Sequence, residues 1–258
     1  MSDALAIAAT GMQAQQLHVE SIANNLANVQ TPGYKKTRML FADLVMPGMA
    51  RAAGDAPLAL VAGAHAGVGI ASAARLFDAG DMKKTESPWD LAIQGEGFLE
   101  VAMPDGSRAY VRGGTFQLNA DGQLATPSGL PLKPGIHIPD NAEGLLVSAT
   151  GRVQARLPGQ TQLVEAGQLE LVRFAHAPGL VAQGGGIYRA TEASGEPIGG
   201  RPGEDGMGVV AQGFQEGSNV KLVEEMVALM VAQRAYEASV KVAQASDEML
   251  GMVNGLRR

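Results

Sequence analysis

The chain has 258 residues, a formal net charge of -6 at pH 7 and no cysteine. The absence of cysteine excludes disulfide frameworks, zinc–thiolate sites and thiol catalysis, and the acidic balance argues against a nucleic-acid binder, which needs a basic face. Aromatic residues make up only 4% of the chain, beside 34 glycines. We therefore expect thin β-modules and close helix packing rather than a deep catalytic pocket.

Residues 1 to about 30 carry a heptad pattern that predicts a long helix. The first row, repeated every seven residues, consists of Leu5, Met12, Val19 and Leu26. A second row, offset by three, includes Ile22. Pro32 and Gly33 end the helix, because proline disfavours helix at the residue before it and glycine permits a turn with positive φ.

The middle of the chain is typical of short strands. Asp105-Gly106 and Asp121-Gly122 each lie between apolar runs, and Asp-Gly in that context is a strong hairpin signal. We expect a β-rich domain over 85–217. The preceding 37–84 is a connector, and its stretch rich in alanine and glycine, 46–72, predicts extended or loosely ordered chain.

Residues 218 to about 253 predict a second long helix, with Ser218 or Asn219 as its N-cap and Glu224 and Glu225 favourable for the helix dipole. About 36 helical residues would span about 54 Å. The apolar rows include Leu222, Leu229, Tyr236 and Leu250 in one register and Met226, Gln233 and Val240 in the other. Core packing is the default role for the tyrosine of the first row, and a hydrogen bond from its hydroxyl across a subunit boundary is the alternative.

Together these patterns predict an α+β fold. Long N- and C-terminal helices pack as a coiled coil, 1–36 with 218–258, and a central all-β domain of short strands and hairpins lies between them in sequence. A lone long helix is marginally stable in water. The terminal helices therefore need each other, and we expect neighbouring chains to supply further partners. The row residues named above are thus the predicted subunit-interface residues.

No catalytic, metal or cofactor site is recognisable. The four histidines lack a second ligand at helical spacing, and no nucleophile elbow or phosphate loop occurs. We interpret Lys35-Lys36-Arg38 and Arg257-Arg258 as solvated surface. The N-terminus lacks the basic and apolar regions of a secretory signal, and no run of about 18 apolar residues predicts a membrane span.

Three asparagines near the end of the first helix need an explanation, since asparagine is a poor helix residue. Asn24 and Asn28 are four residues apart and share a helical face. One hypothesis is that asparagines buried between chains fix axial register, as a buried asparagine does in coiled coils. The alternative is that they ease the chain out of the helix before Thr31.

Several segments resemble the bacterial flagellar basal-body rod and hook protein family. They are "ANNLANVQTPGYKK" (23–36), "DLAIQGEGFLEV" (90–101), "GVVAQGFQEGSNV" (208–220) and the closing helix with "QRAYE" (233–237). The motifs touch both ends and the middle, so the resemblance covers essentially the whole chain. The signature residues are Asn24, Asn25, Asn28, Thr31, Gly33 and Tyr34.

The resemblance implies a non-enzymatic structural subunit without cofactors that self-assembles into a helical tube. The chain length favours the distal rod, a rigid hollow drive shaft, and 46–66 lies where the distal rod has an additional stretch. The implied partners are further copies of itself, the adjacent proximal rod and hook proteins, the bushing rings and the flagellar type III export apparatus. The implied location is the periplasmic rod of the basal body, reached without a cleaved signal peptide, with no nucleic acid bound and no membrane insertion. The alternatives are a proximal rod paralogue and a secreted binding module with a helical stalk.

Overall fold

The computed structural model describes residues 2–45, 65–139, 141–159 and 162–255. The chain forms two compact units. The helical unit comprises the described parts of Met1–Ala27, Thr37–Ala74 and Lys221–Arg258, and the β unit comprises Asn28–Lys36 and the described parts of Arg75–Val220.

Two long helices dominate the helical unit. Helix α1 is Ser2–Ala27 and helix α2 is Leu222–Gly255, and they pack against each other along their lengths. Strands β1 (Thr37–Val45) and β2 (His65–Arg75) form a two-stranded sheet, and β1 contacts α1. Thr10 on α1 accepts the Val68 N–H at 3.3 Å, which ties β2 to the same helix.

The β unit is built from short antiparallel strands in several small sheets. The largest sheet has the order β10-β5-β6-β16-β15, two three-stranded sheets have the orders β11-β12-β13 and β18-β4-β7, and the pairs are β14-β17, β19-β3 and β8-β9. The strands are β3 (Met82–Lys84), β4 (Asp90–Gln94), β5 (Leu99–Ala102), β6 (Arg108–Val111), β7 (Gly113–Thr115), β8 (Gln117–Leu118), β9 (Leu124–Ala125), β10 (Leu132–Lys133), β11 (Gly144–Val147), β12 (Arg152–Arg156), β13 (Leu163–Gln168), β14 (Leu171–Arg173), β15 (Val181–Gly184), β16 (Ile187–Arg189), β17 (Ile198–Gly200), β18 (Val209–Gln212) and β19 (Phe214–Glu216).

Two clusters of buried side chains form the core of the β unit. The larger is aliphatic and includes Leu91, Val101 and Val153. The smaller is aromatic, with Phe98 and Tyr188 buried and further rings packed edge-on around them. Buried residues alternate with half-buried or exposed residues along β5 and β12, which places the buried side chains on one face of each strand.

The predicted α+β fold, with two long terminal helices in contact and a middle of short antiparallel strands, is confirmed. The turns Asp105-Gly106 and Asp121-Gly122 join β5 to β6 and β8 to β9. The expected connector contains β1, β2 and β3, while residues 46–64 lie outside the described residues. No helix in the described part of the chain is long and apolar enough to cross a membrane.

The predicted N-cap of α2 is wrong, because the helix begins at Leu222, three residues beyond Asn219. The Asn219 side chain instead accepts the Lys36 N–H at 2.7 Å and donates to the Leu76 carbonyl at 2.8 Å. It thus holds two chain segments of the β unit together.

Candidate functional site

The seam between α1 and α2 is made largely of small side chains. On α2 the buried row has heptad spacing and contains the small residues Ala232 and Ser246 beside the larger Glu225, and on α1 the buried positions include Ala8 and Ala14. Small side chains let two helix axes approach closely. The contact between the two helices therefore uses few of the large apolar residues of α2.

Those large residues lie instead on a second surface of α2, called here the outward face. At about 100° per residue, six of them point away from the small-residue row, and the other four, Leu222, Tyr236, Val242 and Met249, lie at the edges of that row. Their exposed fractions lie between 41% and 73%. The face is densest over the first ten residues of the helix, and charged side chains, including the Arg234–Glu237 ion pair, interrupt it before it resumes. Its members are Leu222, Val223, Met226, Val227, Met230, Val231, Tyr236, Val242, Met249 and Met252.

The sequence-predicted interface residues are divided between these surfaces. Ile22 is buried in the helical unit. Half-buried positions are Leu5, Met12, Val19, Leu26, Leu229, Val240 and Leu250. Exposed positions are Leu222, Met226, Gln233 and Tyr236. The buried row of α2 therefore lies one residue before the predicted row that contains Met226 and Gln233, because the smaller side chains occupy the contact with α1.

Tyr236 lines a groove of about 520 Å³ on the helical unit. The groove has an aliphatic wall at Val19 and two acidic side chains, Glu20 and Glu237. Tyr236 is 41% exposed, so packing within the chain covers only part of this residue.

Asn25 is the buried member of the asparagine signature. Its side-chain nitrogen donates to the Thr37 carbonyl at 2.9 Å and to the Glu225 carboxylate at 3.1 Å, and its oxygen accepts the Thr37 N–H at 3.0 Å. One amide thus joins the end of α1, the start of α2 and the first residue of β1. Glu225, expected to serve the helix dipole, is buried and binds this amide.

The other two asparagines have different surroundings. Asn24 is exposed, and Asn28 is half-buried just beyond the last residue of α1. Asn28 therefore lies one residue past the helix, in the turn that leads to Thr31. The Asn28 carbonyl accepts the Thr31 N–H at 3.1 Å, and the Asn28 side chain accepts the Thr31 hydroxyl at 3.1 Å.

The rest of the signature forms a turn in the β unit. Gly33 has φ +68°, in the left-handed region that glycine adopts most easily, and its N–H donates to the Glu216 carbonyl at 2.7 Å. The Tyr34 carbonyl accepts the Asn219 N–H at 3.3 Å, and the Arg75 guanidinium lies 5.8 Å from the Tyr34 ring centroid. Backbone hydrogen bonds therefore fix the turn on both sides of Gly33.

The interpretation of Lys35 as solvated surface is wrong. Its side chain is fully buried, and its ammonium donates to Glu216 at 2.7 Å and to the Asp78 carbonyl at 2.7 Å. Arg112 donates to the same carboxylate through Nε at 3.2 Å and Nη2 at 3.3 Å. We call Lys35, Arg112 and Glu216 the ion triad. Sequence alone gave no signal for it, since the three residues are 77 or more positions apart.

Burial and charge act against each other in the ion triad. Burial by itself raises the pKa of Glu216, but the charge and hydrogen bonds of Arg112, with those of Lys35, outweigh it and hold the pKa below its ordinary 4.5. Burial lowers the pKa of Lys35 below its ordinary 10.5, and its hydrogen bond to Glu216 offsets only part of this. The triad is thus a structural element of the β unit that depends on its one carboxylate.

Among the described residues, no group of three or more histidine and acidic side chains could hold a metal ion. The predicted pair of Arg257 and Arg258 lies outside the described residues. What the described residues present is a set of packing surfaces and buried polar contacts.

Comparison with known proteins matches three segments of the chain to family models. Residues 5–35 match "Flagella basal body rod protein", residues 92–155 match "Flagellar hook protein FlgE/F/G D1 domain", and residues 211–256 match "Flagellar basal body rod FlgEFG protein C-terminal". The match over 5–35 contains most of α1, and the match over 211–256 contains all of α2.

Curated relatives match over the whole length. The flagellar basal-body rod protein FlgG of Borreliella burgdorferi is 42% identical over 266 residues, with 100% of both chains covered. FlgG of Buchnera aphidicola subsp. Schizaphis graminum is 41% identical over 260 residues, covering 99% of this chain and 100% of the relative. The rod protein FlgF of Salmonella typhimurium is 29% identical over 253 residues, covering 96% of each.

The sequence left two rod interpretations open, the distal rod protein and a proximal rod paralogue. The higher identity to FlgG than to FlgF favours the distal rod protein. Because the match to rod proteins covers 99% or more of the chain, it favours a rod protein over the alternative of a secreted binding module with a helical stalk. The chain therefore belongs to the FlgG family of flagellar basal-body rod proteins, the non-enzymatic structural subunits of the distal rod.

Proposed function

We propose that copies of this chain polymerise into a tube by covering the outward face of α2 with helices of neighbouring copies. The observation that carries the proposal is that α2 is apolar on two sides while α1 covers only one. A helix that is apolar on most of its surface is normally buried on most of its surface. Burying one large aliphatic or methionine side chain contributes about 1.5–3 kcal/mol, so the outward face is a substantial driving force for association.

The occupant is a second copy rather than an unrelated protein. Family members are named as rod proteins, and a rod requires each subunit to repeat the same contact, which a heterologous interface between identical chains provides. The predicted interface positions Leu222, Met226 and Tyr236, all exposed in the single chain, supply apolar area to that contact. Tyr236 lines the groove, and we propose that its hydroxyl bonds to a polar group of the neighbouring copy.

The asparagine hypothesis takes a narrower form in this setting. Asn25 fixes register inside the chain, so any role in register between chains falls to Asn24 and Asn28. Replacing both by alanine is expected to leave the β unit unchanged and to impair polymerisation. Normal filaments from this double variant would favour the alternative, in which they only ease the chain out of α1.

The same proposal extends to location and partners. The tube would be the rigid distal rod in the periplasm, transmitting torque from the motor to the hook. Its ends would contact the proximal rod and hook proteins, and its outer surface the bushing rings. Subunits would arrive through the flagellar type III export apparatus without a cleaved signal peptide. The rod names of the relatives and their full-length match to this chain support this extension.

Electron microscopy and circular dichroism on one sample series, fresh and after prolonged concentration, test the polymerisation. We expect straight tubes and a rise in helix content as the outward face becomes covered. The Val227→Asp variant places a charge on this face early in α2, where an acidic residue suits the helix dipole, and should block tubes without melting the helix. Arg234→Gln, at an exposed ion pair on the same helix, is the matched control and should assemble normally. Tubes from Val227→Asp, or a persistent monomer already rich in helix, would refute the proposal.

A further inference from the structure

We propose that α2 carries a methionine-oxidation site that controls assembly: sulfoxidation of the outward face blocks polymerisation, and its reduction restores it. The inference rests on the proposed function, because it requires the outward face to become buried between copies. It adds a chemical modification and a class of reagent, the hydroperoxides.

The distribution of methionine is the first observation. Met226, Met230, Met249 and Met252 all lie on α2 and are 46% to 62% exposed. Of the other methionines whose burial the structure describes, Met207 is buried, and the half-buried ones are Met12, Met39, Met82 and Met103. Among the methionines whose burial the structure describes, oxidant therefore has its freest access to the four that belong to the proposed interface.

Spacing is the second observation. Met226 and Met230 are four residues apart, and Met249 and Met252 are three apart, so each pair shares a surface of the helix. One pair lies in each of the two apolar stretches of the outward face, on either side of the charged interruption. Oxidation of the four residues thus alters both stretches at once, and neither keeps its full apolar area.

The chemistry follows from the thioether. A hydroperoxide transfers one oxygen atom to the methionine sulfur. The O–O bond breaks, an S–O bond forms and the sulfur is oxidised by two electrons. The rest of the reagent leaves as an alcohol, or as water when the reagent is hydrogen peroxide. The product is a polar, chiral side chain in place of a flexible apolar one. Burying it against an apolar neighbour leaves the sulfoxide oxygen without a hydrogen-bond donor, which costs free energy.

Position-resolved oxidation is the first test. Hydrogen peroxide is applied to the full-length protein before and after polymerisation, and each methionine is followed by peptide mass spectrometry. Before assembly the four methionines of α2 should oxidise faster than Met207. After assembly they should become as slow as Met207. If each of the four methionines oxidises at the same rate in the free chain and in the tube, the proposal is overturned.

The effect on assembly is measured as the critical concentration for tube formation. Oxidation at the four sites should raise it by about tenfold or more, and methionine sulfoxide reductases with a thiol reductant should return it to the untreated value. An oxidised protein, with its sulfoxides verified, that assembles at the untreated critical concentration would overturn the inference.

Two variants assign the effect to the outward face. In the first, Met226→Leu, Met230→Leu, Met249→Leu and Met252→Leu are combined; leucine conserves the volume and cannot be oxidised, so assembly should become insensitive to peroxide. The matched control combines Met12→Leu, Met39→Leu, Met82→Leu and Met103→Leu and should stay sensitive. If the first variant stays sensitive to peroxide and the control becomes insensitive, the effect does not belong to the outward face. If either variant folds poorly, the reductase measurement on the unaltered protein tests whether oxidation controls assembly.

Failure of the polymerisation proposal looks different. In that case untreated protein forms no tubes, or tubes form while the four methionines remain as reactive as in the free chain. Either result removes the interface and the oxidation site with it. A different result would refute only the oxidation site. In that result the α2 methionines are protected in the tube, but prior oxidation does not change the critical concentration for assembly.

Discussion

Glu216→Gln should destabilise the β unit strongly, because it removes the single carboxylate of the ion triad. That carboxylate accepts hydrogen bonds from Lys35 Nζ, from Arg112 Nε and Nη2, and from the Gly80 N–H at 3.0 Å. A glutamine keeps one acceptor oxygen but turns an NH2 group toward a donor, and leaves two buried cations without a counter-charge. Breaking a buried ion pair by removing one partner costs about 3–5 kcal/mol, which for a unit of this size corresponds to roughly 10 °C in Tm.

The single tryptophan, Trp89, packs against the core of the β unit, so its fluorescence in urea reports on that unit separately from the helices. The midpoint of the Glu216→Gln variant should fall by roughly 2 M. Glu86→Gln, which removes the carboxylate of an exposed ion pair with Lys84, is the control and should change stability by less than about 1 kcal/mol.

A double-mutant cycle with Lys35→Met sharpens the test. Lys35→Met should cost less in the Glu216→Gln background than alone, since it then removes an unpaired ammonium. A Glu216→Gln midpoint equal to that of the Glu86→Gln control, or strictly additive effects in the cycle, would show that the triad does not hold the β unit together.

Three further outcomes are expected. Asn25→Ala should cost about 1–3 kcal/mol, because it removes three hydrogen bonds made by a buried amide, and hydrogen exchange at the Thr37 amide should accelerate at least severalfold. In acid, the stabilisation by Glu216 is complete above its ordinary pKa of 4.5 and is lost as the pH falls through the lower folded-state pKa, so tryptophan fluorescence should show the β unit weakening below that pH, and less so in Glu216→Gln. Gly113→Ala should destabilise more than Gly114→Ala in urea, since both have positive φ but only at Gly113 would a Cβ meet a backbone carbonyl oxygen, at 2.4 Å; equal losses would contradict the steric reasoning.

The sequence alone determined the elements that depend on local pattern. Heptad spacing predicted both long helices, and α1 ends at Ala27, shortly before Pro32 and Gly33. The two Asp-Gly turns predicted hairpins that the structure contains. These features depend on residues a few positions apart in sequence, through backbone φ limits and side-chain periodicity. They can therefore be predicted without knowledge of the tertiary contacts.

Tertiary structure decided which side chains meet. The heptad showed that α2 has apolar rows but not that a row of small residues, including Ala232 and Ser246, would face α1 and leave the larger residues outside. Lys35 looked like solvated surface because its partner Glu216 is 181 positions away, and Asn25 finds Glu225 across 200 positions. The free energy of a buried charge or amide depends on whether its partner is within hydrogen-bond distance, and only the folded chain fixes that distance.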